Sequence, residues 1–332
     1  MKITVLGEGA WGSAIALLLA RNGHDVTLWC HHDSVAQDIT KTRENKRFFP
    51  GFTFDRSIKV SADMTEALSS AQIIFEAVPV KYLRSTLVSI DNNYFNLPWV
   101  LLSKGIEQKT LLFPTHILDD VAQHPVQSAV LSGPSFARDV ALCQPTAVTI
   151  ATQDCLLGAK LYDIVKNDYF SPYVSRDVIG VQIGGALKNV LALGVGILEG
   201  AGYQDNARAL FLTRGLQELA LLAEKLGGSR DTLYGLSGMG DLILTAMGEQ
   251  SRNTSLGRTL GSGVPLAQAL QEREIAPEGI NTAYVVHELL QREHIEAPLL
   301  DGIYRIISED MTIQELFTQL MQQPFANECD LA

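Results

Sequence analysis

KITVLGEGAWGSAIALLLARNGHDVTLW, residues 2–29, carries the pattern that decides the fold. Ile3–Leu6 is a short apolar run that reads as a strand. It runs into Gly7-Glu8-Gly9-Ala10-Trp11-Gly12, a GxGxxG. Trp11–Asn22 then reads as a helix ending at Gly23, and Asp25–Trp29 as a second strand. A lone GxGxxG is a weak signal, and a plain glycine turn is its ordinary explanation. Between a strand and a helix, with a second strand following, it is the setting expected of a dinucleotide site. The glycines permit a tight turn and close approach of a pyrophosphate, whose charge meets the helix N-terminus.

The alternation continues. Ile73–Val78, Val100–Ser103, Ala129–Ser132 and Ala147–Ala151 read as strands, with helical stretches such as Val80–Ser89 and Thr110–Ala122 between them. This order implies a mostly parallel sheet with helices on both faces and ligands at the carboxyl ends of its strands. After about residue 176 the strand pattern stops. Segments 178–198, 205–226, 251–261, 279–293, 299–308 and 312–322 read as helices, the last opened by a Thr312–Glu315 capping box. The expected fold is therefore α/β: an N-terminal Rossmann-type doubly wound sheet in residues 1–176, followed by an all-helical C-terminal domain in 177–332.

VIGVQIGGALKNVLALGVGILEGAG, residues 178–202, opens that second domain. Leu187, Leu191, Val195 and Leu198 recur at helical spacing, so it reads as a buried helix. Its glycines cost about 1 kcal/mol each against alanine, and they let something approach the backbone closely. Lys188 sits in the middle of this apolar run. It either snorkels to the surface or must find a partner, shift its pKa or line a cavity.

Composition excludes several classes. Of the 332 residues, 46% are hydrophobic and 19% charged, as in an ordinary globular protein long enough for two cores. A net charge of −11 argues against a nucleic-acid or anionic-membrane surface, so an anionic substrate needs a local basic pocket. Cys30, Cys143, Cys155 and Cys329 are scattered, which fits a reducing cytosol and neither a disulfide framework nor a metal site. With a strand at the start and no apolar run of about 18 residues, neither a signal peptide nor membrane insertion is expected, and the location read is cytoplasmic.

The other motifs lie at strand and helix ends. The second strand is followed by Cys30-His31-His32 instead of the acid that bonds the ribose in many NAD sites; Asp33 comes only after the histidines. NADP(H) is favoured on that ground and NAD(H) stays open, unless the histidines are merely exposed loop residues. Ser103-Lys104-Gly105 follows a strand, so Lys104 points into the ligand crevice or is a solvated loop lysine. Ser132-Gly133-Pro134-Ser135-Phe136-Ala137 offers small residues and hydroxyls to a polar ligand, or is a simple turn. Asp241, after Gly235–Gly240, is either a helix cap or the carboxylate that pairs with Lys188. Ser251-Arg252-Asn253 opens a helix in a way that suits a phosphate. Glu278 with Gly279, Asn281 and Thr282 opens another, where capping is the competing role.

GEGAWG, SKGIE, LSGPSFA, GGALKNV, GMGDL with a following threonine, SRN and EG–NT occur in this order along essentially the whole chain. Together they resemble the bacterial NAD(P)-dependent glycerol-3-phosphate dehydrogenases. The resemblance implies an oxidoreductase that interconverts dihydroxyacetone phosphate and sn-glycerol 3-phosphate, the backbone of phospholipids, with no metal. It implies that Lys188 is the proton donor and acceptor. Lys104, Gly133, Ser135, Lys188, Asp241, Ser251, Arg252 and Asn253 would line the substrate site. Gly7, Gly9, Trp11, Gly12, Ser13, His31, His32, Lys104, Ala137, Arg252 and Glu278 would serve the cofactor. Thr254 stands where some relatives carry a basic residue, and the tail after Gln322 matches nothing clearly. Similar enzymes are usually homodimers. A related two-domain reductase, such as a ketopantoate reductase, and a nucleotide-sensing protein without turnover are the alternatives.

Overall fold

The computed structural model describes residues 1–248, 251–271, 273, 277–308 and 310–322. Cys329 and the tail after Gln322 lie outside them. Contacts divide the chain into two units, Met1–Glu107 with Leu112–Val178, and Gln108–Leu111 with Ile179 onward.

Among the described residues the strands all belong to the first unit: β1 (Lys2–Leu6), β2 (Asp25–Trp29), β3 (Glu44–Asn45), β4 (Phe49–Thr53), β5 (Lys59–Ser61), β6 (Ile73–Glu76), β7 (Trp99–Leu101), β8 (Ser128–Ser132), β9 (Thr146–Ala151) and β10 (Phe170–Ser175). Eight of them form one sheet in the order β10-β9-β8-β7-β6-β1-β2-β5, and β3 pairs with β4 as a separate hairpin. All pairings in the large sheet are parallel except β8 with β9. The central strands β6 and β7 are buried at every position, Glu76 at the end of β6 included, as strands in a sheet covered on both faces are. From β1 the chain first builds outward through β2 and β5, then returns to β6 on the other side. The carboxyl ends of β1 and β6 thus form the topological switch point where such sheets bind ligands.

Several elements depart from the sequence reading. The strand expected over Ile73–Val78 ends at Glu76. The helix expected from Thr110 starts at Pro114, because Lys109 and Leu111 hold left-handed backbone angles and proline favours the first helical turn. β10 contains Pro172, which survives there because the strand is at the sheet edge.

The second unit is helical. Its longest helices are Val178–Gly200, Asp205–Lys225 and Glu278–Glu293, joined by Asp241–Met247, Arg252–Gly261, Leu266–Gln271, Pro298–Ile307 and Ile313–Met321. The Thr312–Glu315 capping box is present. Val178–Gly200 is the one described helix long and apolar enough to cross a membrane, and 89% of its apolar window is buried inside the protein. Its glycines are crossing points. A Cβ at Gly196 would lie 2.2 Å from the Thr254 carbonyl oxygen, and one at Gly257 would lie 2.2 Å from that of Leu193. Helix Arg252–Gly261 therefore lies directly on the backbone of the long helix.

Candidate active site

In the second unit Lys188 is 8% exposed and Asp241 1%. The Lys188 ammonium donates a hydrogen bond to Asp241 Oδ1. The pairing follows from local packing. A Cβ at Gly184 would sit 2.4 Å from the Ser237 carbonyl oxygen and 3.1 Å from Gly238 Cα. Only glycine lets the Leu236–Gly240 turn touch the long helix, and that turn leads straight into helix Asp241–Met247. Asp241 begins this helix with its side chain directed to Lys188. The snorkelling reading of Lys188 does not hold.

Beside this pair runs a chain of amides. Asn253 Nδ2 donates to Asn189 Oδ1 at 3.0 Å, and Asn189 Nδ2 donates to Glu278 Oε2 at 3.4 Å. The Gly279 N–H donates to Asn253 Oδ1 at 2.9 Å. Ser251 caps helix Arg252–Gly261 by accepting the Thr254 N–H at 3.2 Å. Thr254 is buried and also donates to the Thr245 carbonyl, so it serves the helix junction. Arg252 is exposed on the first turn. Thr245, one turn beyond Asp241, has a buried hydroxyl with no hydrogen-bond partner among the described residues. Its signal in the sequence is the i, i+4 spacing from Asp241.

In the first unit the glycine loop lies at the switch point. Gly7 has φ +112°, and a Cβ there would lie 2.8 Å from the Ala77 carbonyl oxygen; a Cβ at Gly12 would lie 2.0 Å from that of Gly7. At Gly9 a Cβ would meet nothing within 4 Å. Helix Ala10–Arg21 starts without a side-chain cap, and the buried Trp11 indole N–H has no partner among the described residues. Open space above Gly9, an uncapped helix N-terminus and an unpartnered donor fit a dinucleotide phosphate group. The Ser13 hydroxyl is committed to the loop itself: it donates to the Glu8 carbonyl at 3.2 Å and accepts from Asn45 Nδ2 at 2.9 Å.

The end of β2 holds a carboxylate after all, delivered by the glycine loop. Buried Glu8 accepts the N–H of His31 at 2.9 Å and of His32 at 3.2 Å, and its Oε1 lies 2.5 Å from His32 Nδ1. Burial alone would raise its pKa, but these hydrogen bonds outweigh burial and hold the carboxyl below its ordinary value. Glu8 is thus occupied with the two histidines. Around them stand Phe48, 5.8 Å from the His32 ring, and Arg47, whose guanidinium lies 4.9 Å over Phe48. Chain order alone did not reveal Glu8, Arg47 or Phe48, because the β3–β4 hairpin brings the last two there.

At the ends of β7 and β8, Lys104 and Ser135 converge on Gly133. Lys104 Nζ lies 3.5 Å from the Gly133 carbonyl oxygen, and the Ser135 hydroxyl donates to it at 2.9 Å. The Ser132 hydroxyl is buried without a hydrogen-bond partner among the described residues. Ala137 opens the short helix Ala137–Ala141 beyond this turn.

Models of the NAD-dependent glycerol-3-phosphate dehydrogenases match both parts of the chain, the N-terminus over residues 2–156 and the C-terminus over residues 177–318. A glycerol-3-phosphate dehydrogenase [NAD(P)+] of Rhodospirillum rubrum is 43% identical over 98% of this chain and 93% of its own length. This chain belongs to the NAD-dependent glycerol-3-phosphate dehydrogenase family. A relative from Bacillus pumilus with the same name is 38% identical over 99% of this chain and 96% of its own. The crystal structure of glycerol-3-phosphate dehydrogenase from Coxiella burnetii superposes with a TM-score of 0.88 at 33% identity, covering 97% of this chain and 99% of that one. For a member of this family, the buried Lys188–Asp241 pair and the glycine loop are the two places where proton and cofactor chemistry would be sought.

Proposed function

We propose that this family member interconverts dihydroxyacetone phosphate and sn-glycerol 3-phosphate, using NADP(H) and also NAD(H). The observation that carries the reading is the Lys188–Asp241 pair, a buried cation on the largely apolar helix Val178–Gly200 with its counter-charge brought by helix Asp241–Met247.

The first unit is the dinucleotide-binding domain in this reading. Gly7, Gly9, Gly12 and the start of helix Ala10–Arg21 take the pyrophosphate, with the Trp11 indole N–H as a further donor. His31, His32 and Arg47 receive the 2′-phosphate end. The bound dinucleotide supplies the hydride. Lys104, Gly133 and Ser135 are assigned to substrate, and Lys104 and Ala137 also to cofactor.

The second unit supplies the acid. As the ketone carbon is reduced, its oxygen gains negative charge and needs a proton, which Lys188 Nζ donates; in the oxidation direction it takes the proton back. Asp241 stabilises the ammonium and fixes its direction. Thr245 offers its unpartnered hydroxyl to a substrate oxygen. Asn253, locked by Asn189 and Gly279, holds the Ser251–Arg252 turn so that backbone N–H groups and the guanidinium face a phosphate. Arg252 and Glu278 complete the cofactor contacts. A homodimer in the cytoplasm, feeding phospholipid synthesis, is the setting inferred.

Oxidation of NADPH and NADH by the purified protein, with dihydroxyacetone phosphate against ketopantoate, tests the reading. Turnover only with dihydroxyacetone phosphate is expected. Turnover with ketopantoate alone, or with neither, overturns it.

A further inference from the structure

Ile73, Ile74 and Phe75 make β6 an apolar strand in the middle of the sheet, yet its last residue is Glu76, which is fully buried. An apolar side chain would satisfy the sheet there. A carboxylate held out of water costs stability unless donors surround it. Burial pushes the Glu76 carboxyl up to about 7 despite its hydrogen bonds, so its cost is only partly offset. Fold stability is therefore a poor reason for an acid at this position.

Its contacts supply a better one. Oε1 accepts the Val78 N–H at 2.6 Å, and Oε2 accepts the Ser103 hydroxyl at 2.7 Å. One carboxylate thus bridges the loop after β6 to the loop after β7. The first loop is the one whose Ala77 carbonyl abuts Gly7. The second carries Lys104 immediately after Ser103. Gly105 of the second loop also lies against Val80, the first residue of the helix that follows the first loop: a Cβ at Gly105 would lie 3.2 Å from Val80 Cγ2. Lys104 lies 3.5 Å from the Gly133 carbonyl, and the Glu76–Ser103 link fixes the backbone from which it extends.

We propose that Glu76 is a positioning residue for substrate: through Ser103 it holds the Lys104 loop at the switch point, so that the Lys104 ammonium is placed for the phosphate ester. This rests on the assignment of Lys104 to substrate made above.

The test is a set of variants assayed for KM and kcat with dihydroxyacetone phosphate at saturating NADPH, with melting temperatures alongside. Glu76→Leu keeps the size but accepts neither donor, whereas Gln could still bond both by donating its amide N–H to the Ser103 oxygen. Its KM should rise about 10-fold, on the scale of one lost hydrogen bond, with kcat changed much less. Ser103→Ala cuts the same link from the other side, leaves the buried acid in place and should raise KM in the same way; it carries the test if Glu76→Leu does not fold. Lys104→Ala should raise KM further, and adding Glu76→Leu to it should change nothing more, because both act through one ammonium. Wild-type KM in both link variants, with KM raised in Lys104→Ala, overturns the proposal alone. Effects of Glu76→Leu and Lys104→Ala that multiply overturn it too. Wild-type KM in Lys104→Ala overturns the assignment of Lys104 and the proposal with it.

Discussion

Gly184→Ala tests how Asp241 is held over Lys188. The added methyl would begin 2.4 Å from the Ser237 carbonyl oxygen and 2.9 Å from its carbon. Ordinary contact starts at 3.4 Å, so backbone must yield by about 1 Å, and a displacement of that size at a catalytic group can cost about 10²-fold in rate. The part that moves is the turn Leu236–Gly240, which passes its shift directly to Asp241. Stability changes less. Overpacking costs roughly 1–3 kcal/mol, while replacing a mid-helix glycine returns about 1 kcal/mol of helix propensity. The expected variant is folded, melts within several degrees of wild type, and has kcat lowered about 10²-fold. Steady-state NADPH oxidation with dihydroxyacetone phosphate, paired with a thermal melt, measures both. A folded variant with kcat within twofold of wild type would refute the claim that this glycine contact places the acid pair.

Three other outcomes are expected. Arg252→Ala should lower kcat/KM for dihydroxyacetone phosphate by roughly 10- to 100-fold, the worth of a charge-assisted hydrogen bond, and at saturating NADPH the penalty should largely vanish with unphosphorylated dihydroxyacetone; an equal penalty on both would take the phosphate contact away from Arg252. NADPH should give kcat/KM at least equal to NADH, since Glu8 is occupied by His31 and His32 and Arg47 stands nearby; a strong NADH preference would contradict this. Glu218 accepts the N–H groups of Leu299 and Leu300, and burial pushes its carboxyl from 4.5 up to about 7. The folded state then holds the proton more tightly than the unfolded chain, so the group's stabilisation is full below pH 4.5 and is lost as pH rises through 7. Glu218→Gln should remove much of this loss, of order 3 kcal/mol, in denaturant titrations at pH 5 and pH 8; an unchanged pH dependence would count against it.

Much of this architecture was legible because it depends on local pattern. The run from Lys2 to Trp29 states strand, glycine loop, helix and strand in chain order, and the structure keeps that order. The glycines around Lys188 announced a close approach; what approaches, Ser237 and Thr254, is set by segments about 50 and 60 residues away that pattern cannot pair. Asp241 was visible as an acid after a glycine turn, with its role undecided between cap and counter-ion until packing decided it. Helix Asp241–Met247 was missed because Gly235, Gly238 and Gly240 mask the helical pattern before it. Glu8 illustrates a different limit. Counting along β2 finds no acid at its end, because the carboxylate comes from the neighbouring strand's loop. Glu76 reads from sequence as one polar residue inside an apolar strand, and its link to Ser103 exists only in the sheet, where β7 lies beside β6.

The most direct test is a single-turnover measurement on Lys188→Met, with NADPH bound before dihydroxyacetone phosphate is added. If Lys188 donates the proton to the nascent alkoxide, NADPH binds as in wild type, while the rate of its oxidation falls by roughly 10²–10⁴. Oxidation at close to the wild-type rate, with the cofactor equally bound, would contradict the assignment of Lys188 as the acid.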